Sequence, residues 1–295
     1  MKVRIGIGTS APGLDAVGLC RLGDDIDALG FDSLWLPEVL SAPGLDPMVA
    51  LAWVGAHNPT LKLGTTALLP GKNPVRLAKQ AASLDALSGG RLLLTLVPGL
   101  STEPERSAIG VAPTARGDAI DELLPVLRAL WSGAPVSHDG PSASFASVSL
   151  SPVPSQEPLE VWLGGMAPAS LERCGRMADG WLPAMCTPAE VVAGRAVIDE
   201  AAERAGRAIS PEHFGVSIGY AAAPLSDRAR AALGRRARGN PLEALVPVGL
   251  EQLRAHLESF IEVGFSKFVA RPLVPPADWR AELEALADAV GDLQT

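Results

Sequence analysis

Two glycines, Gly164 and Gly165, stand between an apolar run, Val161-Trp162-Leu163, and a segment of helical pattern that opens with Pro168. A turn of small residues ahead of a helix exposes backbone N–H groups at the positive helix end, which suits a phosphate. The same pair suits a tight strand-to-helix turn with no ligand, and the residues alone weigh the two readings evenly. Glu38 is a second candidate. It ends a strand-like run at the edge where barrel enzymes place functional side chains. It shares the parity of Leu34 and Leu36, so it should project the way they do. Thr65, Thr66 and Ala67 lie in a further apolar run, where threonine is an ordinary strand former and says little by itself.

Other chemistries find weaker footing. Gly6-Ile7-Gly8-Thr9-Ser10-Ala11 fits a relaxed GxGxxA dinucleotide fingerprint, but Pro12-Gly13 follows and helical pattern starts only near Leu14. A Rossmann turn needs the helix to open on those glycines. They read instead as a strand whose small residues let a ligand or neighbouring chain approach. His57, His138, His213 and His256 show neither HxH nor HExxH spacing, and there is no GxSxG elbow. Lys62 and Lys267 fall at strand starts, the stability face of a barrel, which disfavours Schiff-base chemistry.

The elements that must carry these residues repeat. Strand-like runs begin at Val3, Asp32, Leu61 and Arg91, with helical patterns over Leu14–Leu29, Pro47–His57 and Pro74–Leu87 between them. The alternation resumes with runs at Glu160, Gly180, Phe214 and Lys267. Helices are predicted over Ala169–Ala178, Pro188–Ala205, Leu250–Val263 and Ala277–Val290. Gly30 as a C′ glycine, Asp46-Pro47 as an N-cap with Pro at N1, and Ser88-Gly89-Gly90 as a stop give local reasons for the boundaries. Eight strand–helix units without a composition break predict an α/β fold of the (β/α)8 TIM-barrel kind, one domain over 1–295. Insertions follow strand 4 and strand 7. The first comprises residues 100–117, ahead of a helix over Asp118–Trp131, and the Ser/Pro/Gly-rich 133–158, with β-like pieces near Val136 and Phe145–Leu150. The second is 224–247, whose charged run Arg228–Arg238 reads most simply as a solvated helix face.

Composition agrees. With 295 residues, 47% of them hydrophobic, the chain can bury a large core without a metal or disulfide staple. Net charge is −8 with scattered basic residues, so no stripe for a nucleic-acid backbone is expected. Cys20, Cys174 and Cys186 form no CxxC or metal spacing and read as reduced thiols, which with the absent signal-peptide pattern leads us to expect a cytoplasmic protein. No apolar stretch reaches membrane-span length.

Six blocks in series resemble the luciferase-like monooxygenase superfamily, and within it the deazaflavin-dependent oxidoreductases. They are LGFDSLWLPE (29–38), DPMVALAWVGAHNPTLKLGTTALL (46–69), NPVRLAKQAASLDALSGGRLLL (73–94), RGDAIDELLPVLRALWSG (116–133), EVWLGGMAPASLERCGRMADGWLP (160–183) and VGLEQLRAHLESFIEVGFSKFVARPL (248–273). The resemblance implies a deazaflavin (coenzyme F420) or FMN ring at the carboxyl end of the barrel. It implies a strand-three bulge with a non-prolyl cis peptide at Thr66-Ala67, cofactor contact and catalysis at Glu38, and a phosphate site at Gly164, Gly165, Met166 and Ala167. Gly99, at the end of the fourth strand, joins the implied cofactor contacts. The chain departs from the pattern at Val39, where well-known relatives carry a proton-transferring histidine, and at Pro98-Gly99-Leu100, where polar or acidic groups are common. The expectation is hydride transfer between F420 and a small organic substrate, with Glu38, Glu103 or a loop residue as proton source if one is needed. The alternatives are an FMN-dependent monooxygenase and a flavin-binding protein without turnover. A homodimer is the expected assembly.

Overall fold

Each predicted strand–helix unit begins and ends within a few residues of its expected place, because local chemistry sets the boundaries. A computed structural model describes residues 1–295. The first four units run β1 (Arg4–Gly8), α1 (Ala16–Ala28), β2 (Ser33–Pro37), α2 (Pro47–His57), β3 (Lys62–Leu68), α3 (Pro74–Ser88) and β4 (Leu92–Val97). Asp15, Asp46 and Asn73 each cap their helix by accepting a backbone N–H two or three residues in, from Gly18, Val49 and Arg76. Gly30 and Gly89 take positive φ just past α1 and at the end of α3, as the sequence requires of them.

The insertion after β4 holds α4 (Glu105–Ile109), then α5 (Arg116–Trp131), and a two-stranded antiparallel hairpin, β5 (Val136–Asp139) with β6 (Ser144–Val148). The units resume as β7 (Val161–Leu163), α6 (Pro168–Met177), β8 (Gly180–Trp181), α7 (Pro188–Arg204) and β9 (Gly215–Tyr220). A second insertion carries α8 (Asp227–Gly234) before α9 (Leu250–Glu262), β10 (Lys267–Pro272) and α10 (Trp279–Val290). The short helix α4 lies in a stretch without clear periodicity, and the exposed α8 falls on the charged run expected as a solvated helix face.

The eight long-range strands pair in parallel in the order β8-β7-β4-β3-β2-β1-β10-β9. Isolated bridges Trp181↔Phe214 and Ala184↔Ser217 join the two ends, so the sheet closes as a (β/α)8 barrel.

Alternation along the strands divides the wall. Ile5, Ile7, Leu34, Leu36, Leu63, Leu94, Leu96, Val161 and Leu163 face the helices and are all buried in one continuous core. Gly6, Gly8, Trp35, Gly64, Thr66, Thr95, Trp162, Ser217, Val269 and Arg271 share the opposite parity and form the inner wall. Two indoles plug the amino-end half of the lumen. A Cβ on Gly6 or Gly64 would collide with the Trp35 ring, and one on Gly180 with the Trp162 ring. These glycines are small because tryptophans occupy the space beside them.

All three cysteines are free and buried, and burial pushes Cys174 and Cys186 up to about 12. Thiolates are the reactive form, so these thiols are inert in the fold. No helix is long and apolar enough to cross a membrane.

The collision at Gly64 gives a direct test of the plug. Gly64→Ala should lower stability by about 1–3 kcal/mol through overpacking against Trp35, read by urea denaturation; an unchanged midpoint would mean the indole moves freely.

Candidate active site at the carboxyl end of the barrel

The two ends of the lumen differ in how their charges are used. The amino-end cavity, about 200 Å3, is lined by Arg4, Asp32, Lys62, Glu160, His213 and Lys267 around the two indoles. Its charges are satisfied: Asp32 meets Lys62 at 2.9 Å and Arg4 at 3.6 Å, Glu160 meets His213 at 3.6 Å, and Lys267 donates to the Lys2 carbonyl. This is the stability face, and the two strand-start lysines sit there as expected.

The carboxyl-end cavity is smaller, about 50 Å3, and is lined by Gly8, Trp35, Pro37, Thr66, Leu182, Ser217, Val269 and Arg271. Its polar groups are unspent. The hydroxyls of Thr66 and Ser217 make no hydrogen bond within the chain, and neither does the Arg271 guanidinium. One step deeper, Thr95 pairs across the ladder with Thr66 and with Trp162. Thr95 is fully buried, and its Oγ1 has no partner. A buried hydroxyl without a partner costs roughly 1–3 kcal/mol, so the lumen beside it suits a polar guest. No carboxylate or imidazole lines this cavity.

Glu38 follows directly on β2 and does not line the carboxyl-end cavity. Its Oε2 accepts from the backbone N–H of Leu68 at 2.8 Å and from Lys72 Nζ at 2.7 Å, with the residue 8% exposed. The carboxylate therefore ties the end of β2 to the turn after β3. Thr66 and Ala67 separate: Thr66 faces the lumen, whereas Ala67 is fully buried on the outer face. The strand-three bulge is not present. Leu63 to Leu68 pair with Leu92 to Val97 without a break, and the three cis peptide bonds all precede prolines elsewhere, so Thr66–Ala67 is trans. Both residues meet the ladder's alternation in an ordinary extended conformation, which leaves nothing to force the bond over.

The first residues of α4 and α5 hold the rim. Glu105 is 2% exposed, and its two oxygens accept from the N–H groups of Leu40 at 3.0 Å and Ser41 at 2.8 Å. Burial alone would raise this carboxyl; the Ser41 hydroxyl, the two amides and the nearby Arg116 outweigh it and hold it below the ordinary glutamate value. Arg116, 1% exposed, donates to the carbonyls of Pro98, Leu100, Arg106 and Val111. Together they brace the turn after β2 against the insertion after β4. Gly99 lies inside that brace at φ +80°, where a Cβ would strike Ile109 and Leu68. Glu103 spends its carboxylate on Arg106 and Ser107 at the exposed surface, which lowers its pKa and removes it from the lumen.

The turn after β7 is open. Ala167 begins α6 with no side-chain cap, Pro168 follows at N1, and the first turn carries no acidic residue. Gly165 takes φ +105°, and a Cβ there would meet the Ser170 side chain at 3.1 Å. The Gly165 carbonyl is held by Trp181 Nε1 at 3.0 Å, which fixes the turn from behind. The N–H groups of Met166 and Ala167 and the hydroxyl of Ser170 remain without partners in the chain. Ser170 is an addition to the expected site, and its position in the first turn beyond the glycine pair is the signal that marks it.

A family model described as luciferase-like monooxygenase matches residues 2–286. A Mycobacterium tuberculosis protein provisionally named a coenzyme F420-dependent oxidoreductase is 27% identical over 261 residues, 81% of this chain and 71% of that one. The oxygenase component of a flavin-dependent trigonelline monooxygenase from Acinetobacter baylyi is 29% identical over 54% of this chain and 44% of its own length. Among solved structures, an F420-dependent secondary alcohol dehydrogenase in complex with an F420-acetone adduct superposes with a TM-score of 0.83. That match covers 100% of both chains at 19% identity and shows the shared fold.

The Glu105 brace makes a pH-dependent prediction. A carboxyl with a depressed folded pKa contributes stability above the unfolded value, about 4.3, and loses it as pH falls through the folded value. Glu105→Gln should therefore cost about 1.5–3 kcal/mol at about pH 7, measured by urea denaturation. The gap to the parent should close below about pH 4, and an equal gap at both pH values would contradict the ionised brace.

Proposed function

The chain belongs to the luciferase-like monooxygenase family, and on that premise we propose that it is an F420-dependent oxidoreductase acting on a small organic substrate. The observation that carries the reading is the open, glycine-cornered start of α6 beside a carboxyl-end cavity with unpartnered hydroxyls and no carboxylate or imidazole. A deazaflavin supplies hydride chemistry, two electrons at a time, and reacts poorly with oxygen.

The chain's own residues divide the remaining work. Met166 and Ala167 N–H, with the Ser170 hydroxyl, offer donors at a positive helix end for a cofactor phosphate. Gly165 lets the backbone approach that group without a side chain in between. Thr66 presents its hydroxyl where a polar ring edge would lie, and Trp35 floors the cavity and keeps water from below. Glu38 acts as a positioning residue: through Leu68 and Lys72 it fixes the end of β3, on which Thr66 stands. Gly99 and Ala67 shape the wall through backbone and packing. With Val39 beside Glu38 and no imidazole in the cavity, any proton the reaction needs comes from solvent or substrate rather than from a dedicated acid.

A second reading, an FMN-dependent monooxygenase on the same wall, is favoured by the named activity of the Acinetobacter relative. The assembly we propose is a homodimer. Exposed Val17, Val49 and Trp53 form an apolar strip across α1 and α2, with Trp53 Nε1 anchored on the Ala16 carbonyl at 3.1 Å. Sedimentation should give twice the chain mass, and Trp53→Glu should return it to one; a monomeric parent contradicts the assembly.

Fluorescence titration tests the cofactor. F420 should bind at least about tenfold more tightly than FMN, a difference of about 1.4 kcal/mol, and Gly165→Val should weaken F420 at least tenfold while preserving the fold. Tight FMN with weak F420 would hand the site to the second reading.

A further inference from the structure

Most arginines that pack against the barrel have an acceptor. Arg116 has four carbonyls, Arg173 has Asp121, and Arg128 and Arg207 share Asp179. Arg271 has none. It stands at the carboxyl end of β10 with the inward parity of Lys267 and Val269, half-buried, and it makes neither hydrogen bond nor ion pair. Taking a guanidinium partly out of water without a counter-charge is unfavourable, so a structure that does so is poised for an incoming anion.

The wall is shaped to hold it. Arg271 pairs across the ladder with Gly219 of β9, and its Nη2 lies 3.5 Å from where a Cβ on Gly219 would be. Its stem runs over Gly8 of β1, where an added Cβ would come within 3.2 Å of the Arg271 Cβ. Gly8 leaves room for Val269 and the Arg271 stem, and Gly219 for Leu273 and the guanidinium. Arg236, in the loop after α8, is the charged group that acts on it, and its sign is the same; burial and Arg236 both push Arg271 below its ordinary value. No carboxylate offsets the pair. In the closed strand order β10 lies across the lumen from β4 and three strands from β7, so this charge is separate from the α6 turn.

We propose that Arg271, with Arg236 at the rim, receives the acid group of the substrate, which makes the substrate class organic acids with an apolar body. The planar guanidinium matches a carboxylate or phosphate ester bidentately. The free hydroxyl of Ser217 sits beside it, and Val269 and Leu182 receive the apolar part. The acid is bound and not transformed; it fixes one end of the molecule so that the other presents its reacting carbon to the ring. This rests on the redox reading above only in naming the ligand a substrate.

Calorimetric titration with benzoate and its neutral isostere benzamide, on the protein alone and on F420-loaded protein, tests it. Benzoate should bind at least tenfold more tightly than benzamide. Arg271→Gln should erase that preference, Arg271→Lys should restore part of it, and Arg236→Ala, at the exposed rim, should reduce it about threefold. F420 affinity should stay within threefold in all of them. Equal binding of benzoate and benzamide by the parent would overturn the proposal. So would an F420 affinity that falls together with the benzoate preference in Arg271→Gln, since that gives the charge to the cofactor phosphate. Failure of F420 to bind the parent overturns the redox reading, and the benzoate–benzamide comparison on the protein alone still decides for or against Arg271.

Discussion

In a closed eight-stranded barrel every strand residue must choose between two environments, and the choice alternates without exception. The outer one is a helix layer that rewards large aliphatic groups, and Ile5, Ile7, Leu34, Leu36, Leu63, Leu94 and Leu96 supply it. The inner one is too narrow for eight such rows. This chain fills its lower half with Trp35 and Trp162 and meets the volume limit with glycine at 6, 64 and 180. The consequence lies above the indoles, where the wall is left with small or hydroxylic residues and one long side chain, Arg271. The space available for chemistry is set by that packing solution.

Charge placement follows from the same division. Acids near the rim are committed to holding loops: Glu38 to the turn after β3, Glu105 to the turn after β2. Each accepts from backbone N–H groups, an arrangement that stabilises a loop strongly and leaves little freedom to move a proton. What remains unneutralised is the open start of α6 on one side of the lumen and Arg271 on the other. Two separate anion-friendly points with a neutral, hydroxyl-bearing wall between them suit a phosphate-bearing redox cofactor and an acidic substrate.

Much of this was legible in the residues. Strand–helix periodicity located all eight units, and caps such as Asp46-Pro47 and stops such as Gly89 carry their reason in a single side chain. The glycine pair at 164–165 by itself reads equally well as a tight turn or a phosphate site. Direction was harder. Parity grouped Glu38 with Leu34 and Leu36, but whether such a group faces helices or lumen depends on closure, which is not a local property. The same ambiguity put Ala67 beside Thr66 when the two face opposite ways. The cis bond at Thr66-Ala67, carried over by resemblance, met an unbroken ladder. Glu105, Arg116 and Arg271 bear no motif, since their partners lie many residues away or, for Arg271, are missing. The glycines at 8 and 219 flanking its strand position were the available signal.

The central claim is that the upper lumen seats the ring beside Thr66 while the α6 turn holds the phosphate. A crystal structure of the protein with F420 tests it most directly. The account predicts the ring against Thr66 and above Trp35, with a phosphate oxygen within hydrogen-bond distance of Met166 N, Ala167 N or Ser170 Oγ. A ring bound outside the lumen, or a phosphate on Arg271, would contradict it.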